Sequence, residues 1–405
     1  MKVIYISYDG MCDPVGASQV LPYLIELSKK NIEFYLISFE KPERFKSFEK
    51  FVKSQIDNTS ITWFPLRYTK NPPVVSTVFD LYKIKKLCKR LCKNNQIDFI
   101  HARSYISALA AVKIKRSTQV PFVFDMRGFW ADERIDGGIW SFKNPLYKFI
   151  YKYFKEKEKQ LLIKSDKIVS LTQAAKTYMI DNWNVSESKI HVIPCAADYK
   201  HFIFSEKTLV EKLKEKHCIS LSAGKTLMYV GSTGTWYLLQ QMFDFYSVFR
   251  THFAESRFVL CINESNPLIE SMIQKYLNEV VVVEQLPRSD MPAILSLADY
   301  SIMFIKPAFS KMASSPIKLG ESLAMGVPVI CNAGVGDMEF VEKDDFGFVA
   351  KDLNTAEYER ICYMLAEKSY DPNDIRKRSE PIYDLKYNVD KYYTLYKEVK
   401  TDKYH

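Results

Sequence analysis

No stretch of this 405-residue chain reaches the ~18 uninterrupted apolar residues of a membrane-spanning helix, so no helical span is expected. The first strand-like run begins at Lys2, which leaves no room for a signal peptide. Both absences point to a cytoplasmic protein. The cysteines agree with this. Cys12, Cys88, Cys92, Cys195, Cys218, Cys261, Cys331 and Cys362 have no framework spacing, and no second Cys/His pair follows Cys88 and Cys92 at zinc spacing. All eight read as reduced thiols. No Asp-x-Asp follows a predicted strand, so a metal-held diphosphate has no anchor, and Asp344-Asp345 sits in a charged turn. Gly-x-Ser-x-Gly elbows and paired-histidine zinc motifs are missing too, which excludes two large hydrolase classes. Internal repeats and low-complexity segments are also absent.

The composition is that of an ordinary globular protein. Apolar residues make up 47% of the chain and charged residues 26%. At this length two domains of roughly 200 residues are expected. Apolar runs at 3–8, 34–39, 61–65, 97–101, 121–125, 167–171 and 190–194 read as strands. Helical periodicity falls between them, and a polar loop extends to about Trp140 before a long helix at 143–163. The pattern restarts after residue 200, with strands at 226–230, 257–261, 279–283, 300–304, 327–331 and 347–350. A helix starting near Trp236 follows the first of these, and three helical segments close the chain. Buried strands separated by helices mean parallel sheets covered on both faces, here in two Rossmann-like halves.

Charge is spread unevenly. Residues 1–200 carry 33 Lys+Arg and 20 Asp+Glu, a net +13, while the remainder carries a net −4. Much of the excess lies in 83–93 and 148–167, which read as amphipathic helices with basic faces. Anionic lipid, nucleic acid, an acidic glycan or plain solvation could each account for such faces. No nucleic-acid motif accompanies the charge. Tyr147, Phe149, Tyr151, Tyr153 and Phe154 are interleaved with the lysines, so an anionic membrane surface is the expected partner and nucleic acid is not.

The densest signal is 314–331, SSPIKLGESLAMGVPVIC. Ser314 and Ser315 precede Pro316, the pattern of an N-cap followed by proline in the first helical turn. Lys318 and Glu321 are three apart and share a helix face. The helix ends at Gly326, and 327–330 reads as a buried strand. A bare helix N-terminus attracts phosphate and a carboxylate accepts hydrogen bonds from a ribose, so the stretch suits an anionic, hydroxyl-rich ligand. The plain alternative is an α/β helix bearing an exposed ion pair. In these residues the chain resembles the retaining family 4 glycosyltransferases of the GT-B fold. Glu321, Ala324, Gly326, Pro328 and Val329 fit the family's Glu followed by Ala-x-Gly-x-Pro-Val, but the family's first Glu, eight positions earlier, is Ala313 here. Ser315, Pro316, Lys318 and Glu321 look like a bacterial surface-polysaccharide branch in which that Glu is often missing.

Other loops at predicted strand ends carry functional groups. Gly16 would let backbone approach a phosphate or sugar at a helix start, and it resembles the family's first glycine loop. Beyond Asp125, Arg127 can fork two oxygens and Trp130 offers a stacking face. Related transferases carry an Arg-(Asp or Gly)-hydrophobe-Trp pattern here. His101 and Arg103 close another strand, where a lone His is more often a satisfied structural residue. Gly231, Ser232 and Thr233 could form a phosphate cradle, although no Gly-Lys-Ser/Thr makes it a P-loop. Many family members keep an Arg and a Lys near this loop. Both are absent, which leaves Lys318, Arg127 and Lys306 or Lys311 to supply the positive charge. Gly334, Val335, Gly336 and Asp337 are expected to open a short helix and resemble the family's sugar-contacting turn.

The resemblance implies an α/β GT-B protein, two Rossmann-like domains facing across a cleft. Residues 1–200 would take the acceptor and 201–384 the donor, with a C-terminal helix, 385–405, crossing back to the first. It implies transfer from a nucleotide-diphosphate sugar to a surface-glycan or lipid-linked acceptor with retention of configuration, without metal or other cofactor. Gly16, Gly231, Ser232, Thr233, Ser314, Ser315, Pro316, Ile317, Gly336 and Asp337 would bind the donor. Arg127, Lys318 and Glu321 would assist the chemistry, and Asp125, Trp130, His101 and Arg103 would line the acceptor side. One rival is a nucleotide-sugar 2-epimerase, which needs paired carboxylates and a His that the sequence does not assemble. The other is a catalytically silent GT-B binding subunit, which Ala313 favours.

Overall fold

The computed structural model describes residues 1–72, 75–221, 223–276 and 279–402. Seven parallel strands form the first sheet: β1 (Lys2–Ser7), β2 (Glu33–Glu40), β3 (Ile61–Arg67), β4 (Phe99–Arg103), β5 (Phe122–Asp125), β6 (Lys167–Ser170) and β7 (Ile190–Val192), in the order β3-β2-β1-β4-β5-β6-β7. Six parallel strands form the second: β8 (Thr226–Gly231), β9 (Arg257–Ile262), β10 (Val280–Glu284), β11 (Tyr300–Met303), β12 (Val329–Asn332) and β13 (Gly347–Ala350), in the order β10-β9-β8-β11-β12-β13. Each sheet reverses strand order beside its first strand, which is the doubly wound arrangement.

Burial explains the sequence pattern. Strands covered on both faces have no polar side, so they read as unbroken apolar runs. In β8, Leu227 and Tyr229 join Tyr246, Phe249 and Tyr358 on one face, while Met228 joins Leu319, Leu323 and Ile375 on the other. Each such fully buried side chain contributes about 1.5–3 kcal/mol. The half-exposed edge strand β3 tolerates Pro65, which a central strand would not.

The chain divides into two compact units. Met1–Pro194 and the C-terminal segment from Leu385 make the first, and Cys195–Asp384 makes the second. The last helix, Leu385–Asp402, therefore returns to the first unit, while residues 403–405 of the expected helix lie outside the described residues. There it lies against the helix Leu21–Ser28, with the rings of Tyr23 and Tyr392 5.4 Å apart, and Tyr396 packs on Phe99 at 4.8 Å.

Several elements differ from the sequence reading. A short helix, Trp130–Asp136, lies within the expected polar loop. The helix after β8 starts at Leu239, not near Trp236. Its delay has a backbone cause: Lys306 N–H donates to the Trp236 carbonyl and Leu238 N–H to that of Phe304, both at 2.9 Å, tying Tyr237 to Ile305 in an antiparallel bridge. Residues 334–337 form a turn rather than a helix start, and the helix beyond them spans only Phe340–Lys343.

Candidate functional site

In the second unit the loops after β8, β10, β11 and β12 all emerge at one edge, because the strands are parallel. Asn332, the last residue of β12, fastens two of them. Its side chain accepts from Ile305 N–H at 2.7 Å and donates to the carbonyls of Ile305 and Ala333. Gly336 N–H donates to the Lys311 carbonyl at 2.8 Å, and the Lys311 ammonium lies 3.7 Å from the centre of the Trp236 ring. The β8, β11 and β12 loops are thus tied into one surface. Asp337 is half-buried in this turn.

The helix Ile317–Ala324 opens onto that surface. Its N-cap is Pro316, not a serine, and no side chain caps it. Ser315 is diverted: its hydroxyl accepts from Cys195 N–H at 3.2 Å, where the chain enters this unit. Ser314 turns back through its own N–H to the Lys311 carbonyl. Among the described residues nothing accepts from the Ile317 and Lys318 amides, so both stay open at the positive end of the helix.

Lys318 and Glu321 do not form the ion pair that their spacing allowed. The Glu321 carboxylate is held by Arg288 at 2.9 Å. Arg288 stands in the β10 loop with its guanidinium 5.4 Å from the Phe202 ring. Lys318 turns the other way, its ammonium 3.6 Å from the Tyr237 ring centre and 4.6 Å from that of Tyr229. It donates to the Tyr229 hydroxyl at 3.4 Å, which in turn donates to the Ser232 carbonyl at 2.6 Å. Among the described residues no carboxylate lies within 4.0 Å of it. Burial between the rings pulls its pKa down to about 7, against the opposing pull of Glu321. Gly231 makes this packing possible, since its φ is +155° and a Cβ there would collide with the ammonium. Ser232 is exposed and Thr233 half-buried beside it. A cation without a counter-ion, two open amides and an exposed glycine loop form a cradle for a compact polyanion. Ala313, at the position of the missing Glu, is buried.

The first unit gathers a second cluster at the ends of β1, β4 and β5. Buried Asp125 lies 3.4 Å from His101 Nε2, 3.7 Å from Arg103 and 3.9 Å from Arg127, while Asp9 lies 3.5 Å from Arg103. Burial opposes ionisation of Asp125, but Arg127, His101 and Arg103 together outweigh it and hold the carboxyl below its usual range. Burial lowers the pKa of His101 further than Asp125 raises it, so the imidazole is neutral. An ionised carboxylate only accepts, hence Nε2 carries the proton and Nδ1 accepts from the Tyr396 hydroxyl at 2.9 Å. Stacked 4.4 Å from Tyr5 and fully buried, His101 is a structural pillar here. Arg127 adopts a left-handed backbone, φ 59°, and is the most exposed of the three side chains around Asp125.

Trp130 and Gly16 lie apart from that cluster's hydrogen bonds. The Trp130 ring is packed by Tyr105, Trp140 and Phe154, with Arg134 5.0 Å from its centre. Gly16 is closely backed by the Gly10 carbonyl, which leaves no space for a Cβ. The loop before it is organised by Glu40, which accepts from the amides of Met11 (2.7 Å) and Cys12 (3.1 Å) and from the Ser38 hydroxyl (2.5 Å). Sequence reasoning passed over Glu40, Arg288, Tyr229, Tyr237 and Asn332. Only Asn332 and Glu40 carried a signal, as polar residues ending buried strands. Among the described residues no group of three His, Cys, Asp or Glu could hold a metal, and no helix is long and apolar enough to cross a membrane.

Two doubly wound parallel units, the first completed by the C-terminal helix, define the GT-B fold, and residues 16–201 match the model of Glycosyltransferase Family 4. No curated protein sequence matches the chain significantly. Among solved structures, a glycosyltransferase from Rickettsia africae ESF-5 is similar at 16% identity and TM-score 0.72, covering 98% of each chain. A sucrose-phosphate synthase from Thermosynechococcus elongatus is similar at 14% identity and TM-score 0.69, covering 99% of this chain and 100% of its own. Anabaena Alr3699/HepE in complex with UDP and glucose aligns at 11% identity and TM-score 0.69, covering 98% and 99%. At these identities the likeness is one of fold.

Proposed function

We propose that this protein is a glycosyltransferase that moves a sugar from a nucleotide-diphosphate donor to a surface-glycan or lipid-linked acceptor, with retention and without a metal. The observation that carries the reading is Lys318, an ammonium with no carboxylate within 4.0 Å among the described residues, set against the Gly231 loop and two open helix amides. The diphosphate would lie there, with Glu321 accepting from the ribose. Such a site stabilises the charge that develops on a leaving diphosphate, and the departing phosphate can take the acceptor proton, so no protein nucleophile is required. The family match over 16–201 and a fold neighbour solved with UDP and glucose support this class of donor. The acceptor is assigned to the first unit, whose Arg127 is the least buried of the three side chains around Asp125, and the protein to the cytoplasm.

Ala313 favours a second reading, a silent GT-B binding subunit, because a buried methyl stands where the family has its first Glu. Purified protein incubated with a panel of nucleotide sugars separates the two. Thermal stabilisation by one donor with slow release of its nucleoside diphosphate supports the transferase. Stabilisation without turnover under any acceptor condition supports the subunit, and stabilisation by none removes both.

A further inference from the structure

We propose that the first unit docks on the surface of an anionic bilayer through two exposed apolar stripes, on the helices Val75–Asn94 and Pro145–Lys164. Val75, Val78, Phe79 and Tyr82 are each more than half exposed, and their spacing of three, four and seven puts them on one helix face. On the second helix Leu146, Phe149 and Tyr153 repeat the pattern, with Phe149 69% exposed. Scattered exposed apolar residues need no explanation, but two ordered stripes of large side chains mark an interaction surface.

Both stripes belong to one face of the first unit. The helix Ser104–Thr118 packs against each of the two helices and separates them, so the stripes stand roughly 20 Å apart at common helix spacings. Each occupies the half of its helix that begins near the C-terminal ends of the strands, the edge at which Arg103, Asp125 and Arg127 lie.

Charge selects the partner. Past its apolar half, the face of Val75–Asn94 continues into exposed Lys86, Lys89, Arg90 and Lys93. The only carboxylate of that helix, Asp80, is buried and bonded to Lys83 at 2.8 Å. Residues 145–154 of the second helix contain Lys148 and Lys152 and no acid, whereas Lys155 is paired with Asp132 and Glu158. Apolar prongs set among lysines fit the interface of an anionic bilayer, where the rings enter the headgroup boundary and the ammonium groups meet phosphate. The proposal deepens the acceptor side of the reading above, because it would bring the Arg127 edge to the plane where a lipid-linked acceptor presents its head. It differs from attraction by charge alone in one respect. Salt screens the lysines but not the buried rings, so part of the binding resists salt.

Flotation of the full chain with phosphatidylcholine vesicles, with and without phosphatidylglycerol, tests this. The wild type should float with the anionic vesicles and keep a measurable fraction bound at high salt. Phe79→Ser with Tyr82→Ser, and Phe149→Ser with Tyr153→Ser, should each lower partitioning at least tenfold and remove the salt-resistant fraction. Tyr363→Ser, an exposed aromatic in the other unit, should change nothing. These side chains are exposed, so unchanged thermal midpoints confirm folded variants. The proposal is overturned by no flotation on anionic vesicles, by equal flotation on neutral ones, or by variants that bind like wild type. It also fails if light scattering finds a dimer that the same substitutions dissolve, since the stripes would then join two copies. Nucleotide-sugar binding is measured on the same proteins. Its absence from all of them removes the transferase reading and leaves the membrane result standing.

Discussion

Lys318 and Gly231 constrain each other, because the ammonium occupies the space a side chain at 231 would need. Gly231→Ala should push the lysine off the tyrosines and strain the backbone, costing about 1–3 kcal/mol of stability in urea melts and weakening donor binding further. The lysine's depressed pKa gives a signed expectation. Below pH 7 the ammonium is already charged, whereas above it the free protein has released the proton that an anionic ligand wants back. Binding a nucleoside diphosphate should therefore take up protons above pH 7, more at pH 8 than at pH 7, with affinity falling as pH rises. Calorimetry in buffers of different ionisation enthalpy measures this directly, and zero uptake at pH 8 would place the diphosphate elsewhere. Glu321→Ala should weaken the same ligand by about 1–3 kcal/mol while the fold survives, because Arg288 is half exposed and can be solvated when its partner is lost. The spacing of Lys318 and Glu321 was legible in the sequence. Their divergence was not, since it depends on Arg288 thirty-three positions upstream and on two tyrosines whose rings only folding brings in.

At the scale of elements, strand positions were the readable part, since burial on both faces leaves an apolar run that needs no neighbour to interpret. Helix beginnings were less so. Two serines before a proline spelled an N-cap, yet Ser315 serves Cys195 instead, a partner 120 positions away. The Trp236 segment likewise stays out of the helix because residues 304–306 pair with it. The last helix gives a prediction at this scale. Leu385–Asp402 buries Val389, Tyr392, Leu395, Tyr396 and Val399, each contributing about 1.5–3 kcal/mol, against a typical domain stability of about 5–15 kcal/mol. A chain ending at Asp384 should lose soluble expression of its first unit, while Tyr396→Phe, which removes only the hydroxyl on His101, should cost about 1–3 kcal/mol in chemical unfolding.

The whole molecule divides its charge as it divides its chain, with the excess cations in the first 200 residues and a slightly acidic remainder. That asymmetry was plain from composition, but the composition could not say which apolar residues stay uncovered beside the lysines. Since the proposed diphosphate site meets charge with Lys318 and helix amides, sugar transfer should persist in excess EDTA. Turnover restored only by Mg²⁺ or Mn²⁺ would overturn that. The path of the chain has one more consequence. It leaves the first unit at Pro194 and re-enters it at Leu385, so during synthesis the seven-stranded sheet emerges from the ribosome 190 residues before the helix that covers Phe99 and His101. Through that interval the nascent first unit carries an open apolar seam. The second unit, contiguous from Cys195 to Asp384, can be complete first, although its synthesis begins later.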